Sequence, residues 1–514
     1  MSIRPGASLL LPILVLAPAL ALAEQPLSAI DWLSKSLAMP QSAALPQSPA
    51  GSTENADAAP DVTVQPLGAQ VPDALGILSD KVTGLPRNLW GDAPSAEIET
   101  LINGLSPEGL PALQELMITL LLAEADPPVD SGARPQLLLT RIDKLMALGA
   151  LDQVRALIEL AGPASSPELF RRSFDTGLLV GEENRACMVL AASPGLSPAL
   201  PTRIFCLARQ GDWSAAALTL DTATALGQVS AEQADLLARF LDPDTAEASD
   251  PPAPPVPVTP LDMKIFEAIG EPLPTAALPI AFSHADLAPN QGWKARIEAA
   301  ERLARVGAIS PNVLLGLYTE RKPSASGGVW DRAAAFQRLD AAVEAGDGAA
   351  TARALPAAWE AMKSVELEVP LADLFADKLA RLPLSGEARQ IATALALLSP
   401  DYESLTAAIP PVDAREAFLI GLARGQVFNL TPPDSMGRAI APAFTAPSLP
   451  EDIADTLQHG RVGEAILMAM ARITAGAGGD LPQVTAGLST LRKLGLEDVA
   501  RRTALELMLL ERRG

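Results

Sequence analysis

Histidine, tyrosine and cysteine each occur only twice in 514 residues. His284 and His459 stand far apart, with no Glu or Cys at ligand spacing. That argues against a metal site and against a Ser-His-Asp triad, both of which need several donors converging on one point. His284, in AFSHADL, reads as a helix-end or packing residue. No GxSxG, Walker or dinucleotide fingerprint is present, and no Cys-x-x-Cys, so catalysis and cofactor binding lack their usual carriers. Aromatic residues make up 4% of the chain and Val/Ile-rich alternating runs are missing. The apolar content is instead Ala and Leu, which favours helices over sheets. Positive charge is also short: 39 Lys and Arg stand against 61 Asp and Glu, a formal −22. A phosphate backbone needs a basic footprint, so no nucleic-acid partner is expected.

Long apolar runs are confined to the start, MSIRPGASLLLPILVLAPALALAEQ. Arg4, an apolar stretch and Ala21-Leu22-Ala23 form a secretory signal with a small-x-small site, and cleavage is expected after Ala23. Loss of Arg4 leaves 38 basic and 61 acidic residues, or −23. The run 7–23 is short for a membrane anchor and is broken by Pro12 and Pro18. No Cys near the cleavage site suggests a lipid anchor, and no later run approaches spanning length. The expectation is an exported protein without an integral span after signal cleavage, in a Gram-negative periplasm, with secretion as the alternative.

Composition divides the rest. Residues 24–37 form a short tip, QPLSAIDWLSKSL after Glu24, with Leu27, Ile30, Leu33 and Leu37 at helical spacing. Residues 38–71 are rich in Pro, Ala, Ser and Gln without a basic residue, and read as a disordered linker. Residues 72–242 and 261–514 read as two helical-repeat regions. Between them, 243–260 is an acidic spacer with six Pro among its last ten residues, expected to be stiff and extended. Helix starts are marked by Ser106-Pro107, Ser166-Pro167 and Ser310-Pro311, each an N-cap residue before Pro.

Aligning helix-ending glycines reveals a repeat. Gly149, Gly181 and Gly211 are followed by GALDQVRALIELA, GEENRACMVLAAS and GDWSAAALTLDTA; Gly346, Gly460 and Gly495 open further instances. The fifth residue after each is Val154, Ala186, Ala216, Thr351, Ala465 or Ala500. A glycine with positive φ ends one helix, and a small residue lets the next cross it closely. A period near 30–35 residues marks an α-solenoid of stacked hairpins.

GDWSAAALTLDTA resembles the tetratricopeptide repeat. Gly211, Trp213, Ala216, Leu220 and Ala223 fall where that family places its turn glycine, an aromatic, a small residue, a large residue and Ala. The preceding helix departs from the pattern at Leu200, Arg203 and Ile204. The resemblance covers about six half-motifs and implies peptide or protein binding on a concave surface. The fold expected is therefore all-α, an α-solenoid of tetratricopeptide-like hairpins in two parts joined by a Pro-rich linker. The chain is also similar to an exported alphaproteobacterial helical-repeat family sharing LSAIDWLSKSL, RIFCLARQGDW and LYTERKPSASGGVWDR. Some members carry the label antifreeze glycopeptide polyprotein. Such polyproteins repeat Ala-Ala-Thr, and the unit at 349–351 does not recur in tandem here, so the residues do not support the label.

Four constellations remain. Cys187 and Cys206 lie equally far from the turn at 194–201, so in an antiparallel hairpin they sit at one level and an oxidising compartment would join them; two buried thiols are the alternative. Glu403-Ser404 matches the catalytic Glu and following Ser of periplasmic lytic transglycosylases, which also have helical superhelices, but that family's Gly- and Gln-containing segments are lacking, and Glu403 reads as an exposed first-turn acid. In YTERKPSASGGVWDR, Tyr318, Arg321, Lys322, Trp330 and Arg332 are candidate donors and walls for an anionic ligand. Residues 294–338 carry eight basic and four acidic side chains. The structural alternative is a helical connection, with Glu320 and Asp331 paired to Arg and the two aromatics stapling the helices. Finally, Leu27, Ile30, Trp32 and Leu33 make the tip a docking helix on a tether, or one that folds back on its own chain. Together these point to a non-catalytic exported scaffold or adaptor of the cell envelope, without cofactor, binding a protein or peptide partner. A binding module for an anionic envelope ligand such as peptidoglycan fragments is the first alternative, a peptidoglycan-cleaving enzyme the second.

Overall fold

The structure, a computed structural model, describes residues 71–132, 134–197, 199–242 and 252–510. These hold 25 α-helices and no strand, apart from an isolated bridge pairing Leu78 with Ala123. The protein is all-α, as its Ala- and Leu-rich composition requires. No described helix is long and apolar enough to cross a membrane.

Local signals set the helix ends. Ser166 accepts a hydrogen bond from the Leu169 amide ahead of helix Pro167–Val180, and Ser310 accepts one from Asn312 ahead of Pro311–Thr319. Ser106-Pro107 behaves differently. It makes only a turn, and the helix starts at Pro111. A helix begun at Pro107 would carry Pro111 in its interior, where the missing N–H breaks the ladder, so the start moves to the second proline.

The six glycines share one geometry. Gly149, Gly181, Gly211, Gly346, Gly460 and Gly495 all have φ between 64° and 87°. The next helix begins two residues after each: Leu151–Ala161, Glu183–Ala192, Trp213–Ala225, Gly348–Lys363, Val462–Ala477 and Glu497–Leu509. The residue five after each glycine is buried in every case. The six residues are Val, Ala or Thr, so the buried side chain never exceeds Val in size.

Helices 167–241 gather around Phe170, Phe174, Ile204 and Phe205. Cys187 and Cys206 form a disulfide inside this cluster, joining helices Glu183–Ala192 and Leu200–Arg209. With its ends 19 positions apart in sequence, it stabilises by about 3 kcal/mol through the unfolded chain. Leu261, Ile265 and Phe266, from beyond the Pro-rich segment, pack into the same cluster. A second core is built from residues 293–398 around Ile297, Tyr318, Phe336 and Phe375.

The last helices pack on the first. Helix Pro111–Leu122 has no side-chain cap of its own. The carboxylate of Glu506, 394 residues later, takes that role, accepting the Ala112 amide with both oxygens at 3.0 Å. This satisfies an otherwise orphaned N–H and sets negative charge at the positive end of the helix. Arg502 pairs with Glu115 at 2.7 Å, one turn further on. A second contact lies at 89–97. The Gly463 amide donates to Leu89 O at 2.7 Å. Arg461 pairs with Asp92 at 2.5 Å and Glu97 at 2.9 Å, and His459 Nδ1 lies 3.0 Å from Asp92. The hydrogen bond from Arg461 holds Asp92 below the usual carboxylate range. The Trp90 indole packs against Gly463; a Cβ there would stand 2.5 Å from the ring.

Gly463 is therefore a packing requirement. Gly463→Ala forces the indole to move and is expected to lower the free energy of urea unfolding by about 1–3 kcal/mol. Gly104→Ala, where a Cβ meets nothing within 4 Å, should change it by under about 0.5 kcal/mol. Equal effects would remove the packing argument.

Candidate functional site

The stretch 318–332 lies between helices Pro311–Thr319 and Val329–Glu344, against Trp293–Arg305. Its centre is Glu301. Arg332 meets this carboxylate with two parallel hydrogen bonds, Nε to Oε1 at 2.8 Å and Nη2 to Oε2 at 2.7 Å. The Tyr318 hydroxyl donates to Oε1 at 2.5 Å. Tyr318 is fully buried and stacks on Phe336, ring centroids 4.8 Å apart. Burial first, then the adjacent Glu301 charge, hold its phenol well above its ordinary pKa. Burial works against the Arg332 charge, yet the Glu301 hydrogen bonds and field outweigh it, so the guanidinium sits above its usual value. This fork-on-carboxylate geometry is the strong form of the ion pair. It is turned inward.

The aromatic walls are committed as well. Trp330 packs on Trp293, centroids 4.9 Å apart, and the Trp293 indole N–H donates to Leu317 O at 2.8 Å. Gln337 ties the loop down, donating to Tyr318 O and Arg321 O, both at 2.7 Å. Gly327 and Gly328 take positive φ of 84° and 63° to turn the chain into the next helix. Glu320 pairs with Arg296 at 2.6 Å and Arg321 at 3.2 Å. Arg332 is thus held by Glu301, Trp330 packs on Trp293, and Tyr318 stacks on Phe336 of the following helix.

Of the local basic excess, Arg302 donates to Thr275 O, Leu278 O and the Ser283 hydroxyl, and Arg305 reaches Glu108 at 3.8 Å. Of the five residues singled out here, Arg321 and Lys322 present exposed side chains, Arg332 and Trp330 are half-buried, and Tyr318 has no surface. The anionic-ligand alternative narrows to that exposed pair.

The other sequence candidates are scattered. Glu403 is exposed and pairs with Arg501 at 3.1 Å. His284 Nε2 lies 2.7 Å from Gly149 O, at a helix end; burial holds its imidazole below the ordinary pKa. Leu27, Ile30, Trp32 and Leu33 lie outside the described residues.

Two open grooves went unread in the sequence. One, of 680 Å³, runs between Arg438, Leu449, Pro450, Leu481 and Thr485. The other, of 550 Å³, is lined by Ile420, Val427, Phe428, Leu430 and Phe444, with Arg424 as its one charged side chain. Phe428 is 77% exposed while its neighbour Val427 is 3% exposed. Asn429 adopts φ 66°, the left-handed conformation that Asn tolerates, and this sharp loop projects the phenyl ring outward. An aromatic beside Asn and ahead of Pro432-Pro433 was the available signal.

The chain matches no protein-family model, no curated protein and no solved structure.

The network around Glu301 makes a mutational prediction. Arg332→Ala leaves a carboxylate stranded beside a buried phenol and should cost about 3–5 kcal/mol. Glu301→Gln combined with Arg332→Met removes both charges and should recover most of that loss. Urea melts of the two variants decide the matter; equal destabilisation would show that packing, not the stranded charge, carries the cost.

Proposed function

We propose that this protein is an exported, non-catalytic scaffold or adaptor of the cell envelope, built as an α-solenoid of tetratricopeptide-like hairpins in two parts joined by the Pro-rich segment. Its partner is a protein or peptide bound on the helical surface. The observation that carries this reading is the 550 Å³ groove with Phe428 standing at its edge. An exposed aromatic beside an aliphatic floor is the anchor-and-pocket arrangement of helix and peptide recognition. The shared glycine register supports a repeat built for surface rather than for a deep reaction chamber. The N-terminal signal and the acidic charge suit an exported soluble component.

The test is in-cell crosslinking followed by identification of adducts by mass spectrometry, comparing wild type with Phe428→Glu. An identified envelope partner captured by wild type and reduced about tenfold in the variant is the expected result. Cell-wall lysis by the purified protein that is lost in Glu403→Gln would replace the reading with an enzyme.

A further inference from the structure

We propose that the 680 Å³ groove between helices Ser435–Thr445 and Leu481–Lys493, at the start of Glu451–Gln458, binds a small amphipathic carboxylate. The carboxyl group sits on Arg438 and the apolar body lies against Leu449, Pro450 and Leu481. The inference goes beyond the peptide reading of the Phe428 groove, and the two grooves share no lining residue.

The charge in the groove selects the sign of the ligand. Arg438 is its one charged lining residue, and its side chain is exposed. Among the described residues, no hydrogen bond or ion pair engages its guanidinium. The neighbouring arginines differ. Arg415 pairs with Asp434 at 3.4 Å and donates to Met508 O at 2.9 Å. Arg472 pairs with Asp452 at 2.5 Å, and Arg492 with Glu497 at 2.7 Å. Asp434 also accepts the Gly437 amide at 2.8 Å. Glu451 and Asp480 adjoin Pro450 and Leu481 in sequence but do not line the groove. In a chain with 61 acids against 39 bases, this guanidinium stays open to an external anion. Its parallel N–H donors match the two oxygens of a carboxylate. The hydroxyls of Ser435 and Ser448 line the same groove and can donate alongside it.

The rest of the lining selects the body. Ala439, Leu449, Pro450, Leu481 and Ala486 are half-buried, and Pro450 and Pro482 carry no N–H to satisfy. An apolar wall with one charge and a few hydroxyls is the make-up of a small-molecule site. The groove's volume falls within the range of about 300–1,000 Å³ for such sites. A simple anion would leave the wall in water. An uncharged apolar molecule would desolvate the guanidinium without giving it a partner, which is unfavourable. A molecule with one carboxylate and one apolar body satisfies both. The walls are also held in place without a ligand. Thr485 Oγ1 donates to Ala439 O at 2.5 Å and Arg492 Nη1 to Ala443 O at 2.8 Å, tying the two long helices at two points.

The experiment titrates octanoate and 4-phenylbutyrate into the full chain, followed by saturation-transfer difference NMR. With roughly ten to twelve heavy atoms each, they should show submillimolar dissociation constants. Octanamide, with the same body and no charge, should bind about tenfold more weakly than octanoate. Acetate, with the charge and no body, should bind more weakly still. Arg438→Met should weaken octanoate about tenfold and leave octanamide unchanged; the side chain is exposed, and an unchanged urea midpoint will verify folding. Phe428→Glu should leave both affinities as they are. No binding of either carboxylate overturns the proposal. So does octanamide or acetate binding as tightly as octanoate, or octanoate binding indifferent to Arg438→Met. Octanoate binding lost with Phe428→Glu alone would overturn it too, and would move the ligand to the other groove. Capture of an envelope partner through Phe428 is decided separately, by its own crosslinking, so either reading can fail without the other.

Discussion

The carboxylate of Glu506 at the N-terminus of helix Pro111–Leu122 is the contact on which the described fold depends. A helix end leaves amides without partners, and burying them uncompensated costs more than most single contacts return. Here the helix offers no cap of its own, so its first turn is completed only when the far end of the chain arrives. The entropy of closing so long a loop is modest. It grows with the logarithm of length, so joining residues 394 apart costs only about 3 kcal/mol more than joining the cysteines, 19 apart. The Arg502–Glu115 pair, the Trp90–Gly463 contact and the packing of the two helices readily offset that. Such pairing also raises contact order, so these contacts are expected to form late in folding.

Glu301 shows the same logic inside one region. A buried carboxylate needs donors, and Tyr318 and Arg332 supply them. The residues a recessed anion site would need are those a buried anion of the protein itself needs. Arg and Tyr around a turn therefore signal an anion without saying whose it is. Here the anion is internal, and it fixes three helices relative to one another.

Much of the fold was legible because it is local. Ala and Leu without β-branched runs gave helices, and six glycines gave their register, since φ above zero is a property of single positions. The cysteines were readable because a hairpin fixes which residues share a level. Ser106 failed as a helix start for an equally local reason, the second proline at 111. What could not be read was long-range pairing. Glu506 sits in LELMLLE with nothing to mark it as a cap for another helix, and Gly463 looks like any helix-start glycine until Trp90 is placed against it. The pairing of Arg332 with Glu301 could not be read either, because Glu301 lies a full helix away in sequence. The groove was invisible for the same reason: Ile420, Val427 and Phe444 become one surface only after their helices pack.

That packing links the groove to the contact between helices Pro111–Leu122 and Glu497–Leu509. Arg501, on the helix that carries Arg502 and Glu506, is held by Glu497 and Glu403 and points its guanidinium at the turn before Phe428. A Cβ on Gly425 would stand 2.7 Å from its Nη2. The floor of the groove is thus set by the helix whose other face caps Pro111–Leu122. Helix Glu497–Leu509 thus serves the cap and ion pair to Pro111–Leu122 and the loop that borders the groove at once, and a change in its position would be felt at both.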